Sequence, residues 1–253
     1  MLALRLWDGN GSARLLEADP ERGALLLERL DHRRSLRDLP IRRAVPVIAE
    51  MLRRLAIRPP DGLRTTGGIA RQLQVSLPKR WEVAGRPFSS SMLDTALGLA
   101  ADLSTDHEAL LVNHDLHYDQ VLAGDREPWL VIDPLIVAGA LEYQVGQLLW
   151  TRFDEIVEAP GLRWCVDALV DAAALDATLA RSWAVLRATD YWLWGLAAGF
   201  TGDPVRCRGI VKLLDTWEGE SPVSTLPSPG REEGLGRRPP GPGRRNFLAH
   251  SRL

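Results

Sequence analysis

A short polar cluster, His114-Asp115-Leu116-His117 with Asp119 and Gln120, is caught between two apolar runs, and the second run closes on Asp133. Residues 111–134 therefore set what the rest of the chain must fold around. The runs at 109–112 and 129–132 have the length and bulky or β-branched content of short buried strands. The cluster between them reads as a loop, with side chains free for chemistry. Carboxylates at the ends of neighbouring short strands face one pocket, one serving as a base while the other holds a divalent cation. Asp115 and Asp133 are that candidate pair.

The chain has 253 residues, 45% hydrophobic and 25% charged, enough to bury a sizeable core in one domain or in a small lobe plus a larger one. A formal net charge of −2 gives no general electrostatic reason to bind nucleic acid or an anionic membrane. No apolar run approaches the roughly 20 residues of a membrane span, and no secretory signal pattern opens the chain, so a cytoplasmic protein is expected. Cys165 and Cys207 lie far apart and outside any C-x-x-C pair, which predicts buried thiols rather than a disulfide or zinc site.

In chain order, residues 2–7 read as a helix end, 8–11 as a turn, and 12–18 and 24–30 as the strands of a hairpin. Residues 35–58 predict one or two amphipathic helices interrupted near Pro40 and Pro46. Residues 63–77, with Gly67-Gly68 inside, have no clear form. A helix is expected over 88–103, after Ser89-Ser90-Ser91. From Tyr143 onward the pattern is helical, including 168–187 and the tryptophan-rich segment that opens after Asp190. Beyond Trp217 proline, glycine, serine and arginine dominate, which predicts a disordered tail at 218–253.

Asn113 to Gln120 and Ile132-Asp133-Pro134 carry a resemblance to the aminoglycoside and hydroxyurea antibiotic-resistance kinases, the family that includes streptomycin 6-kinases. Their pattern is H-G-D-L-H-x-x-N followed by a strand and I-D-P. The resemblance implies an α+β, protein-kinase-like fold with an incomplete small lobe at 1–30 that ends in the hinge, and a helical large lobe at 31–217. It implies ATP and Mg2+ as cofactors, and an alcohol group of an aminoglycoside such as streptomycin, or hydroxyurea, as acceptor. Asp115 takes the role of base, and Gln120 and Asp133 those of metal ligands. Glu28, Arg29 and Leu30 become hinge residues that meet the nucleotide, with His117 also beside it. The helical run is similar to the part that walls the acceptor site in streptomycin kinases, where acids such as Glu142, Asp154, Glu155 and Asp190 beside tryptophans such as Trp194 would hold a cation.

The sequence departs from the family pattern in several places. Gln120 replaces an asparagine, and Ala140 and Gln144 stand where acids are expected. The lysine that holds the α- and β-phosphates on a small-lobe strand has no counterpart, since no lysine precedes Lys79. The resemblance thus spans about residues 2–217 and begins part-way into the family's domain. Two alternatives stay open on the residues: a binding module or catalytically impaired remnant of the same fold, and a metal-dependent hydrolase using His114, Asp115 and His117 as ligands.

Overall fold

The computed structural model describes residues 1–105 and 109–215. All of these fall in one compact unit, Met1–Glu218. The expected tail at 218–253 lies outside the described residues, as do the last two of the proposed large lobe.

Helix α1 (Leu2–Trp7) buries Ala3, Leu4 and Trp7, and the Trp7 indole Nε1 donates to the Leu55 carbonyl at 2.9 Å. A turn follows in which Asp8, Gly9 and Gly11 all have positive φ. Ser12 then bridges Val131 before the antiparallel hairpin of β1 (Leu15–Asp19) and β2 (Ala24–Leu27). This hairpin is largely solvent-exposed, with Leu16, Leu25 and Leu26 on the surface. Strand β2 stops three residues short of the predicted 24–30. Glu28 still donates its backbone N–H to the Arg14 carbonyl at 2.9 Å, and its carboxylate accepts from the Arg14 N–H at 2.7 Å and from the Arg126 guanidinium at 2.6 Å.

Strand β3 (Asp31–Ser35) has no signature in the sequence, because DHRRS is polar throughout and has no alternation. It lies at the edge of a three-stranded sheet, where a strand needs few apolar side chains. Helix α2 (Ile41–Leu55) starts after Pro40 and carries Pro46 inside it without a break. Its buried face, Ala44, Val45, Ile48, Ala49, Met51, Leu52 and Leu55, recurs at three- and four-residue spacings. That burial offsets the one backbone hydrogen bond a proline removes.

Helix α3 (Thr66–Val83) occupies the stretch to which the sequence gives no clear form. Gly67 and Gly68 lower its propensity, but the Thr65 hydroxyl accepts from the Gly68 N–H at 3.0 Å and fixes the start. Helix α4 (Ser90–Asp102) begins as expected, with the Ser89 hydroxyl accepting from the Met92 N–H at 3.3 Å.

Strand β4 (Leu110–Asn113) leads into the polar cluster, which closes in a 3-10 turn, Tyr118–Gln120. Strands β5 (Val121–Ala123) and β6 (Leu130–Val131) pair antiparallel and complete the sheet with β3. Strand β7 (Ile136–Gly139) returns antiparallel to β4, pairing Leu110 with Gly139 and Asn113 with Ile136. The two predicted runs thus lie in different sheets, and β7, which the sequence does not announce, is the neighbour of β4. Four helices finish the unit: α5 (Val145–Trp150), α6 (Ala159–Ala173), α7 (Ala177–Ala197) and α8 (Gly202–Asp215). Helix α7 contributes side chains to both apolar clusters of the core. Both cysteines are buried and free, and burial pushes the Cys165 thiol up to about 12.

Candidate active site

The polar cluster is fixed in space by Asn113, the last residue of β4. Its buried side-chain oxygen accepts from the Leu135 N–H at 3.1 Å and the Asp115 N–H at 3.4 Å, and the His114 N–H donates to the Leu135 carbonyl at 2.7 Å. One asparagine therefore ties the loop after β4 to the segment after Asp133. Asp133 itself has φ of 47°, in the left-handed region that aspartate enters more readily than most non-glycine residues.

The Asp115 carboxylate is held on both oxygens by neutral amide donors. Gln147 Nε2 of α5 donates to Oδ1 at 2.7 Å, and Gln120 Nε2 donates to Oδ2 at 3.3 Å. Behind Gln147 stands Arg187 of α7, buried, whose Nη2 donates to Gln147 Oε1 at 3.2 Å. The same guanidinium donates to the carbonyls of His114 (3.2 Å) and Tyr143 (3.3 Å) and lies 4.1 Å from the Tyr143 ring centroid. Burial, with Arg187 nearby, lowers the His114 pKa below its ordinary value.

Asp115 and His117 line a cavity of about 530 Å³ together with Asp190 and Trp194. Trp150, Tyr191 and Trp194 on its wall belong to a file of rings that runs out to the exposed Phe200. Trp150 stacks on Tyr191 at 4.6 Å, Tyr191 on Trp194 at 5.1 Å, and Phe200 meets the edge of Trp194 at 5.2 Å. Asp190 is ion-paired with Arg80, which also donates to the Asp190 carbonyl at 2.8 Å. His117 Nδ1 lies 3.4 Å from Asp119.

The remaining site residues read from the sequence fall elsewhere. Arg29 and Leu30 line a separate shallow cleft of about 340 Å³ with Asp31, His32, Arg33 and Asp125. Glu28 is tied to Arg126, which holds its carboxyl below the usual range. Asp133 is exposed and is not among the residues lining the Asp115 cavity. Glu142 is turned away from that cavity as well. Its carboxylate accepts from the Asp176 N–H at 3.0 Å ahead of α7, and it lines a second cavity of about 260 Å³. Asp154 and Glu155 are engaged by Arg206 and Arg152.

Gln120 keeps one buried side-chain oxygen, Oε1, with no hydrogen-bond partner. An amide oxygen of this kind and a carboxylate such as that of Asp133 are the hard oxygen donors that Mg2+ takes. Among the described residues no group of three His, Cys, Asp or Glu could hold a metal ion, so the His114, Asp115, His117 ligand set of the hydrolase alternative does not form. No described helix is long and apolar enough to cross a membrane.

Sheet order, the loop after β4 and the helical remainder define a protein-kinase-like fold of the small-molecule phosphotransferase type. The fold is similar to that of aminoglycoside phosphotransferase APH(4)-Ia in its ternary complex with AMP-PNP and hygromycin B, at a TM-score of 0.59 and 15% identity over 83% of this chain and 81% of that one. It is also similar to choline kinase LicA of Streptococcus pneumoniae, at 0.56 and 15% over 84% and 77%. Residues 1–199 match the aminoglycoside/hydroxyurea antibiotic resistance kinase family, and the chain belongs to that family. It is 37% identical over 220 residues to hydroxyurea phosphotransferase of Kitasatospora aureofaciens, covering 84% of this chain and 63% of that protein. It is 35% identical over 202 residues to streptomycin 6-kinase of Streptomyces glaucescens, covering 78% of this chain and 66% of the relative. The chain thus spans a little under two thirds of the length of these relatives.

Proposed function

We propose that the chain carries the acceptor side and the metal and hinge residues of an ATP-dependent phosphotransferase acting on an alcohol group, with an aminoglycoside such as streptomycin, or hydroxyurea, as the family's acceptor chemistries. The observation that carries this reading is the Asp115 carboxylate, fixed by two amide donors at the edge of a cavity large enough for a drug-sized molecule. A carboxylate so held is suited to orient an acceptor hydroxyl and to take its proton at Oδ1 or Oδ2 as the phosphoryl group arrives. Because phosphoryl transfer asks mainly for positioning and charge stabilisation, a rigidly placed weak base is sufficient.

Gln120 Oε1 and Asp133 would hold Mg2+, which when bound supplies charge neutralisation on the nucleotide phosphates. Glu28, Arg29 and Leu30 are assigned to the adenine hinge and His117 to the nucleotide side of the cavity. Asp190 and Trp194 are assigned to the acceptor wall. An ATP-dependent reaction of this kind fits a cytoplasmic location. A second reading, a binding module of the same fold with impaired transfer, is supported by Gln144, which stands where the family has an acid and whose buried Oε1 has no partner.

A calorimetric titration with Mg-ATP tests the proposal, with Asp133→Ala and Asp115→Asn in parallel. Nucleotide binding is expected to weaken in Asp133→Ala and to persist in Asp115→Asn, while Asp115→Asn loses phosphate transfer. Full transfer by Asp115→Asn would remove Asp115 from the role of base. Binding without transfer by the unaltered chain would favour the second reading.

A further inference from the structure

Several polar side chains on the wall of the Asp115 cavity are already engaged within the protein. Asp190 pairs with Arg80, Arg187 donates to Gln147, and His117 lies 3.4 Å from Asp119. His114 differs. Its side chain lines the same cavity as Asp115, yet its buried Nδ1 has no hydrogen-bond partner among the described residues.

The backbone that carries this ring is not free to swing toward one. The His114 N–H donates to the Leu135 carbonyl at 2.7 Å, and its own carbonyl accepts from Arg187 Nη1 at 3.2 Å, so the residue is pinned from both sides. The Tyr143 ring stands beside the imidazole, with centroids 6.3 Å apart. A buried polar atom without a hydrogen bond is unfavourable and uncommon in folded proteins, so such an atom on a cavity wall points to a partner that arrives with a ligand. Burial and Arg187 lower the His114 pKa, which favours the neutral imidazole. A neutral imidazole offers one donor and one acceptor nitrogen, whereas a carboxylate, once ionised, only accepts. These two consecutive side chains therefore suit two adjacent polar groups of one molecule: a hydroxyl that gives up its proton, and a neighbour that either donates or accepts. Hydroxyurea carries such a neighbour in its carbonyl, and an aminoglycoside carries one in the hydroxyl or nitrogen group on the adjoining ring carbon.

We propose that His114 contacts the acceptor directly, its imidazole hydrogen-bonding the polar group next to the reacting hydroxyl while Asp115 takes the hydroxyl itself. The inference rests on the phosphotransferase reading for the word acceptor, but its test requires neither nucleotide nor turnover. Streptomycin and hydroxyurea are titrated separately into 15N-histidine-labelled protein, with the ring-nitrogen signals of His114 assigned by their loss in His114→Ala. At least one probe is expected to move those signals in the unaltered chain. Its affinity is expected to fall at least about fivefold in His114→Ala and to recover largely in His114→Gln, which restores a side-chain donor and acceptor. Thermal melts confirm that both variants are folded, and the titration of the unaltered chain depends on neither. Unmoved His114 signals at saturation overturn the proposal, as does undiminished affinity in His114→Ala or binding of neither probe. Failure of the phosphotransferase reading would show instead in the Mg-ATP titration, which involves no acceptor.

Discussion

Arg187 sits in the wall of the Asp115 cavity as a buried cation whose hydrogen bonds go to two carbonyls and one amide oxygen. Those bonds pass its polarising effect through Gln147 to the Asp115 carboxylate, so two elements distant in sequence set the orientation of one oxygen pair. Arg187→Met keeps much of the stem and removes the donors. The stranded carbonyls and the loosened Gln147 are expected to cost roughly 1–3 kcal/mol of stability by denaturant unfolding. On the proposed phosphotransferase reading, transfer should fall mainly in kcat. A normal kcat would show that Gln147 holds Asp115 unaided. The sequence makes Asp115 and Gln120 legible because a polar cluster between two apolar runs has few structural uses. It hides Arg187, which lies inside a long helix and looks like any surface arginine. Gln147 carries a weaker signal: it is the one strongly polar side chain in the run Val145-Gly146-Gln147-Leu148-Leu149-Trp150, and such a residue in a buried helix must have a partner. Glu142 misleads for the converse reason. An acid beside aromatic residues in sequence need not face them, and here it accepts from the backbone at the start of α7.

Among the elements, the pairing of β4 with β7 and the docking of α3 on β7 bring the cluster to its place. Gly139 ends β7 at φ of 149°, and a Cβ there would lie 1.9 Å from the Thr66 hydroxyl oxygen at the start of α3. Gly139→Ala is therefore expected to destabilise the fold by roughly 3 kcal/mol or more, through overlap and backbone strain together. Gly98, inside α4, is surrounded by open space: a Cβ there would meet nothing within 4 Å. Gly98→Ala should gain about 0.5–1 kcal/mol by removing backbone freedom from the unfolded chain. Urea unfolding of the two variants separates a steric glycine from an incidental one; equal small effects would mean α3 can shift away from β7. Helices α2 and α4 are legible from apolar spacing and serine caps. Strand β3 is not, because it is a polar edge without alternation.

At the scale of the molecule, α7 is the common wall of both apolar clusters. Ala180, Ala184, Ala188 and Trp192 belong to one, and Trp183, Leu186 and Leu193 to the other. Neither cluster can loosen without exposing a face of α7, so the described unit should unfold as one cooperative block. Trp183→Ala, at a fully buried position, is expected to cost about 3–5 kcal/mol. Circular dichroism and tryptophan fluorescence should give coincident transitions in both proteins; separated midpoints would show that the clusters melt independently. The front of the chain is attached differently. Arg126 donates to the carbonyls of Gly9 and Ser12 and to Glu28 and Glu127, and Arg54 joins Asn10 to Glu127. Much of what fastens the turn after α1 to the loop before β6 is thus ionic and only partly shielded from water. Salt weakens partly exposed ionic contacts of this kind, whereas it does not weaken apolar burial. Raising the ionic strength should therefore slacken this attachment, so that cleavage within residues 8–28 is expected to be faster in brine than in dilute buffer.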